Sequence, residues 1–242
     1  MNIRIFQQGF NYSQDGPGNR LVLHLQGCNL RCPWCSNPEG LPRTGGTVHS
    51  LEDLCRQVLS CRMMFFDGGG VTLTGGEATM QFDAVKEFLT MLRAQDIHTA
   101  LETNGLHPKL PELFPLISYL IMDYKHHDPE KHRLITGASN AMTHQNIALA
   151  LEAGMDPAIR IPLIGGFNAS EDDAHQFAAR FRELGLPGKG TLELLPYHEF
   201  GRDKYRTCGL PYTMTDDARI TPDILGYFTD VLTDAGITLI RT

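Results

Sequence analysis

The chain has 242 residues, enough for one α/β domain with a substantial buried core. Hydrophobic residues at 42% and charged residues at 20% are the proportions of an ordinary globular protein, which excludes a mostly disordered chain. The formal charge of -7 gives no general electrostatic reason to bind nucleic acid or an anionic membrane surface.

The opening stretch NIRIFQQGF lacks the apolar run of a signal peptide, and no later stretch reaches about 18 apolar residues. A cytoplasmic protein with no membrane partner is expected. Next comes SQDGPGNR (13–20), a tight turn by composition. The first apolar run, RLVLHLQG (20–27), reads as a strand and leads into GCNLRCPWCSNPEG (27–40).

SLEDLCRQVLSCR (50–62) reads as an amphipathic helix, with Ser50 as N-cap and Asp53 three residues on. Strand GVTLTGG (70–76), helix FDAVKEFLTMLRAQ (82–95), strand HTALETNG (98–105) and strand YLIMDYK (119–125) follow. Then come helix HQNIALALEAG (144–154), strand AIRIPLIGG (158–166), helix SEDDAHQFAARFRELG (170–185) and strand TLELLPY (191–197). Ser170 with Asp173 repeats the capping pattern, and Gly154 and Gly185 stop helices. A helix-like stretch near 221–235 and a short strand ITLIR end the chain. Six strands with helical crossovers, most apolar on both faces, predict a parallel sheet, open or curved toward a (β/α) barrel.

Polar residues cluster just after these strands: Cys28 to Cys35, Gly75 to Glu77, Glu102 to Asn104, Asp123 to Lys125, Arg160 and His198. Sites in parallel α/β folds form at the carboxyl ends of strands, so the six groups are expected at one mouth.

Cys28, Cys32 and Cys35 have the spacing C-x3-C-x2-C. A reducing compartment leaves such thiols for metal or catalysis. Structural zinc takes four ligands, for which His24 and His49 are candidates. A 4Fe-4S cluster given only three cysteines keeps one iron open for a substrate, and a chance grouping remains a third reading. Trp34, the only tryptophan, either stacks on a ligand base or anchors a core. Cys55, Cys61 and Cys208 lack ligand spacing and read as buried or incidental thiols.

GCNLRCPWC followed by TGGEATMQ (74–81) resembles the radical S-adenosylmethionine (SAM) superfamily, a partial (β/α)6 barrel. With DGPGNRLVLHLQGC, CSNPEG, LETNG, MDYKHHDPEKHRLITGASN, IRIPLIGGFNASEDD and LELLPYHEFGRDKY, the resemblance narrows to the glycyl-radical-enzyme activating proteins, over about residues 10 to 205. It implies a 4Fe-4S cluster on Cys28, Cys32 and Cys35, its open iron chelated by the amino and carboxylate groups of SAM. One electron then cleaves SAM, and the 5'-deoxyadenosyl radical takes a hydrogen atom from a glycine of a partner enzyme.

The same resemblance assigns Lys125 a catalytic part beside the three cysteines. It places Trp34, Asn37, Gly75, Gly76, Glu77, Glu102, Asn104, Asp123, Lys125, Arg160 and His198 around SAM. Gly75 and Gly76 would admit the ligand closely, Glu77 would accept from its ammonium, and Lys125 or Arg160 would neutralise its carboxylate. A monovalent cation beside SAM would use Asp123 and Glu102, the latter one methylene longer than the aspartate of the family pattern. Asp15 and Gly16 would meet the partner's glycine loop.

Many relatives sharing the WCSNPE wording insert a cysteine-rich module for further clusters; residues 40–69 hold two cysteines here. The expectation is one domain over 1–242 without that insertion. Flavodoxin or ferredoxin would supply electrons, and a monomer would bind its partner transiently. A radical SAM enzyme acting on a small molecule or another peptide is the alternative, and a zinc-stabilised binding protein is a third.

Overall fold

Strand β1 (Asn2–Tyr12) buries only Ile3 and Ile5, so no apolar run announces it in the sequence. The computed structural model describes residues 1–241, which divide into two units. The first holds residues 1–29, 39–103 and 109–121, and the second holds 30–38, 104–108 and the chain from 122.

In the first unit β1 pairs antiparallel with β2 (Asn19–Leu25) and with β3 (Thr47–Ser50), an addition to the parallel sheet expected. A register shift between Ile5 and Gln7 breaks the alternation of β1. β2 then runs parallel to β4 (Gly70–Gly75), and β4 to β5 (Thr99–Thr103), so Leu23, Leu73 and Leu101 stand in register. The strand order is β3-β1-β2-β4-β5.

Helix α1 (Leu51–Ser60) follows β3, and its buried residues Leu51, Leu54, Cys55 and Val58 recur at helical spacing. The hydroxyl of Ser50 accepts from the Asp53 amide, as the capping pattern predicts. Helix α2 (Phe82–Ala94) connects β4 to β5 and buries Val85, Phe88, Leu89 and Leu92. Strand β6 (Tyr119–Asp123) begins in this unit and ends in the second.

The second unit contains a helix the apolar pattern does not mark, α3 (Pro129–Thr136), whose buried residues are His132 and Thr136. Its signals are at its ends: Asp128 accepts from the Glu130 and Lys131 amides, Pro129 opens the first turn, and Gly137 closes the helix at φ 93°. Helix α4 (Ala141–Glu152) starts three residues before the expected segment. Strand β7 (Ala158–Leu163), helix α5 (Glu171–Leu184) and strand β8 (Thr191–Pro196) follow. Ser170 and Asp173 form the full capping box of α5, and Gly185 ends it at φ 77°.

β7 and β8 are parallel from Ala158↔Thr191 to Leu163↔Pro196. Short α6 (Arg202–Thr207) and α7 (Pro222–Asp234) precede β9 (Leu239–Ile240), which adds parallel to β8. The core here is aromatic: Phe177 stacks on Phe181 at 6.2 Å and meets Phe228 of α7 at 6.3 Å. No helix among the described residues is long and apolar enough to cross a membrane.

Candidate active site

The Asp15–Gly18 turn in the first unit is held by a buried cation. Arg20, fully buried on β2, donates from Nε to Thr72 Oγ1 (2.7 Å), from Nη2 to Val71 O (2.8 Å) and from Nη1 to Pro17 O (3.0 Å). Its Nη1 also meets His98 Nδ1 at 3.2 Å, which must accept because a guanidinium only donates. The Thr72 hydroxyl passes its own proton to Asp15 O (2.7 Å). Burial lowers the Arg20 pKa to about 10, which leaves it charged at neutral pH. Asp15 Oδ2 accepts from Asn11 Nδ2 at 2.5 Å, and Gly16 takes φ 116° against the Arg20 side chain.

Gly75 ends β4 and Gly76 follows it, and the structure explains both by the approach of backbone to backbone. A Cβ on Gly75 would lie 2.2 Å from Leu25 N, and one on Gly76 would lie 2.4 Å from Gly27 O and 2.5 Å from Gly40 O. These contacts belong to a ladder beside Cys28: Glu77 N donates to Gly27 O (2.8 Å), Gly27 N to Gly40 O (2.9 Å) and Cys28 N to Leu41 O (3.3 Å). Glu77 is 2% exposed, and its Oε1 accepts from Thr79 N (2.9 Å), Thr79 Oγ1 (2.5 Å) and Thr103 Oγ1 (2.8 Å). Three donors hold this carboxylate in one orientation. Glu102 accepts from Thr74 Oγ1 at 2.7 Å.

In the second unit Cys32 and Cys35 lie on a turn closed by Cys35 N donating to Cys32 O (3.1 Å). The Asn37 amide donates to Cys35 Sγ at 3.4 Å, a bond of the kind that tunes thiolates holding iron. The next supports come from far along the chain. Tyr205 on α6 donates its hydroxyl to Cys32 O (3.1 Å), and Lys204 donates to Asn37 Oδ1 (2.7 Å). Burial, then the Cys35 and Cys32 sulfurs, push Tyr205 up to about 12, so it stays a donor. Gly201 permits this packing, since a Cβ there would lie 2.3 Å from Cys35 O. Trp34 meets Phe167 at 4.9 Å.

The expected strand-end residues of this unit each have a partner. Lys125 Nζ donates to Asp123 Oδ2 at 2.7 Å. Arg160 Nε donates to Glu193 Oε2 at 2.9 Å, a buried pair set by the register of β7 on β8. Glu193 was not singled out in the sequence; a lone carboxylate inside the apolar run TLELLPY was its signal. Asn104 Oδ1 accepts from Leu106 N (3.1 Å), forming an Asx-turn, while its carbonyl accepts from Thr143 Oγ1 (2.8 Å). His198 stacks on exposed Phe200 at 4.0 Å, and burial lowers its pKa.

His126, His127 and Asp173 also bring ligand atoms within 4.8 Å of one another. His126 Nδ1 accepts from the Asp128 amide (2.9 Å), so its proton sits on Nε2 and faces Phe167 O (3.1 Å). Both nitrogens are committed, and burial drops its pKa to about 4. The His127 bond to Asp173 Oδ1 (2.8 Å) makes the group a clasp joining the segment after β6 to the start of α5. Burial pushes the Asp173 carboxyl up, but the bonds from His127 and Ser170 outweigh it and hold it well below the carboxylate range.

The sequence profile of the radical SAM superfamily matches residues 22–178. Over 205 residues the chain is 34% identical to the pyruvate formate-lyase 1-activating enzyme of Escherichia coli (strain K12), covering 83% of this chain and 82% of that one. A solved domain of the pyruvate-formate lyase-activating enzyme from Bacteroides vulgatus ATCC 8482 superposes with a TM-score of 0.58 at 26% identity, over 71% of this chain and 98% of that one. A radical SAM methyltransferase from Sphaerobacter thermophilus, 16% identical with a TM-score of 0.66, covers 99% of this chain and 76% of its own, and shares the fold alone. That α/β fold is the class expected of the sequence, a partial (β/α)6 barrel of the radical SAM type. The chain therefore belongs to the radical SAM superfamily, in the family of the pyruvate formate-lyase-activating enzymes.

Proposed function

We propose that this chain activates a glycyl radical enzyme: it cleaves SAM reductively and removes a hydrogen atom from one glycine of that partner. The observation that carries the reading is the 34% identity to an activating enzyme across 205 residues, in a chain whose three-cysteine motif is followed by a Gly-Gly-Glu segment.

Superfamily membership implies a 4Fe-4S cluster and SAM. The donor set fits: Cys28 and Cys32 are buried thiols, Cys35 is a half-buried one, none is in a disulfide, and the Asn37 amide already points at a sulfur. When bound, such a cluster would supply the single electron needed to break the bond between the sulfonium of SAM and its 5' carbon. Cys28, Cys32 and Cys35 would hold it. Tyr205 and Lys204 fix the segment carrying Cys32 and Asn37.

For SAM, Glu77 is a pre-oriented carboxylate for the ammonium, its rotamer locked by Thr79 and Thr103. Lys125 and Arg160 are the cations for the SAM carboxylate, each balanced by Asp123 or Glu193 so that neither is a lone buried charge. Trp34, Asn37, Gly75, Gly76, Asn104 and His198 complete the set, with Glu102 and Asp123 as carboxylates for a monovalent cation. Asp15 and Gly16 would receive the glycine segment of the partner. Residues 40–69 form β3, α1 and the turn after it, with Cys55 buried in α1 and Cys61 at its end, which supports a single cluster fed by flavodoxin or ferredoxin.

The test is anaerobic electron paramagnetic resonance of the reconstituted, dithionite-reduced protein with and without SAM. A 4Fe-4S signal whose g values move with SAM is expected, followed by a glycyl radical signal when a partner enzyme is added. Cys28→Ala, Cys32→Ala and Cys35→Ala should each abolish SAM cleavage while Cys208→Ala does not; full turnover in any of the first three would sink the assignment.

A further inference from the structure

Five apolar side chains at the end of β1 and on the turn at 62–67 stand in water on the first unit. Met63 is 93% exposed, Tyr12 54%, Phe66 49%, Met64 47% and Phe10 45%. Rings pair across the two segments, Phe10 with Phe65 at 6.3 Å and Tyr12 with Phe66 at 6.1 Å, so the end of β1 and the turn at 62–67 make one face. A contiguous apolar face of this kind marks a contact surface. Methionine side chains, unbranched and polarisable, repack against varied partners.

The turn carrying this face is fixed to the Asp15–Gly18 loop. Asn19 donates from its amide to Phe66 O (3.1 Å) and from Nδ2 to Met64 O (2.8 Å). A Cβ on Gly18 would lie 2.3 Å from Phe66 O and 2.4 Å from Asp67 O. Tyr12 OH donates to Asp67 Oδ2 (3.0 Å), which ties β1 to the same turn. Arg20 adds Nη1 to Gly68 O (3.4 Å) on one side and Pro17 O on the other.

Resting on the activase reading above, we propose that Phe10, Tyr12, Met63, Met64 and Phe66 form a docking face for the folded body of the partner glycyl radical enzyme. Continuity with the loop assigned to the partner's glycine segment selects this occupant: a body held here keeps its glycine segment beside Asp15. The turn's charged residues, Arg62 and Asp67, are of opposite sign, so it offers no net charge to steer a redox carrier. The turn at 62–67 thus serves protein recognition.

Met63→Asp and Phe66→Ser alter side chains that stand mainly in water, and circular dichroism verifies their folding. The probes are the full-length glycyl radical enzyme that the wild-type chain activates and a synthetic peptide of its glycine loop, scored by glycyl radical signal and 5'-deoxyadenosine formation. The expected result is a KM for the full-length enzyme raised about tenfold or more, with peptide kinetics within about twofold of wild type. An unchanged KM for the full-length enzyme overturns the proposal, as does an equal loss with the peptide. Loss with flavodoxin but not with dithionite would assign the face to the electron donor, and a wild-type dimer split by Met63→Asp would assign it to a second copy; either overturns it. A wild-type chain that cleaves SAM yet activates no glycyl radical enzyme refutes the activase reading itself, and this docking face with it.

Discussion

Replacing Gly76 by alanine puts a methyl group where two carbonyl oxygens already lie. Its Cβ would stand 2.4 Å from Gly27 O and 2.5 Å from Gly40 O, against an ordinary carbon–oxygen contact of about 3.3 Å. The backbone must open by roughly 0.9 Å to relieve this. Those oxygens accept the Glu77 and Gly27 amides at 2.8 and 2.9 Å, so opening stretches both bonds. Overpacking costs about 1–3 kcal/mol and each of the two weakened hydrogen bonds about 1 more, which together give a loss of about 3–5 kcal/mol. In a chain of this length that is a fall in Tm of roughly 6–20 °C. The assay is anaerobic urea unfolding followed by circular dichroism, with Gly9→Ala as control, because a Cβ on Gly9 meets nothing within 4 Å. The control should stay within about 0.5 kcal/mol of wild type. Equal midpoints for Gly76→Ala and Gly9→Ala would refute the steric reasoning. Reduced iron content in Gly76→Ala would add that the displaced ladder also supports Cys28.

Arg20→Met removes the donors to Pro17 O, Val71 O and Thr72 Oγ1. It should cost about 3 kcal/mol and raise KM for a glycine-loop peptide while SAM cleavage without peptide persists, and an unchanged peptide KM would contradict the loop-fixing role. Burial, the largest cause in each case, lowers His126, His132 and His144 to about 4. The unfolded chain takes up these protons near pH 6.5 and the folded chain only near pH 4, so the stabilisation is complete above pH 6.5 and is lost as pH falls through that window. Each contributes up to about 3 kcal/mol, so the urea midpoint should fall steeply between pH 6.5 and 4. His132→Gln should flatten the slope, and a profile already flat in the wild type would contradict the burial argument.

Much of this protein is legible in its residues because the signals are local. Cysteine spacing, the Ser50 and Ser170 caps and the apolar period of α1, α2 and α5 lie within a few turns of chain, and the structure reproduces those elements within a few residues. Helix α3 shows the limit of periodicity: its apolar stripe is weak, yet Asp128, Pro129 and Gly137 mark both ends. Strand β1 is harder, since "QQGFNY" is polar and a register shift interrupts what alternation it has.

The sequence by itself determined the three-cysteine motif, the Gly-Gly-Glu segment and the order of strands β2, β4, β5, β6, β7 and β8, and hence the family. Only the tertiary structure decided what holds those residues: Tyr205 on Cys32, Glu193 on Arg160, Thr103 on Glu77, and the carbonyls of Gly27 and Gly40 against Gly76. Tyr205 and Cys32 are 173 positions apart. A contact over that distance leaves no period or spacing in the chain, because it is set by the register of neighbouring strands and the packing of helices rather than by the rotation from one residue to the next.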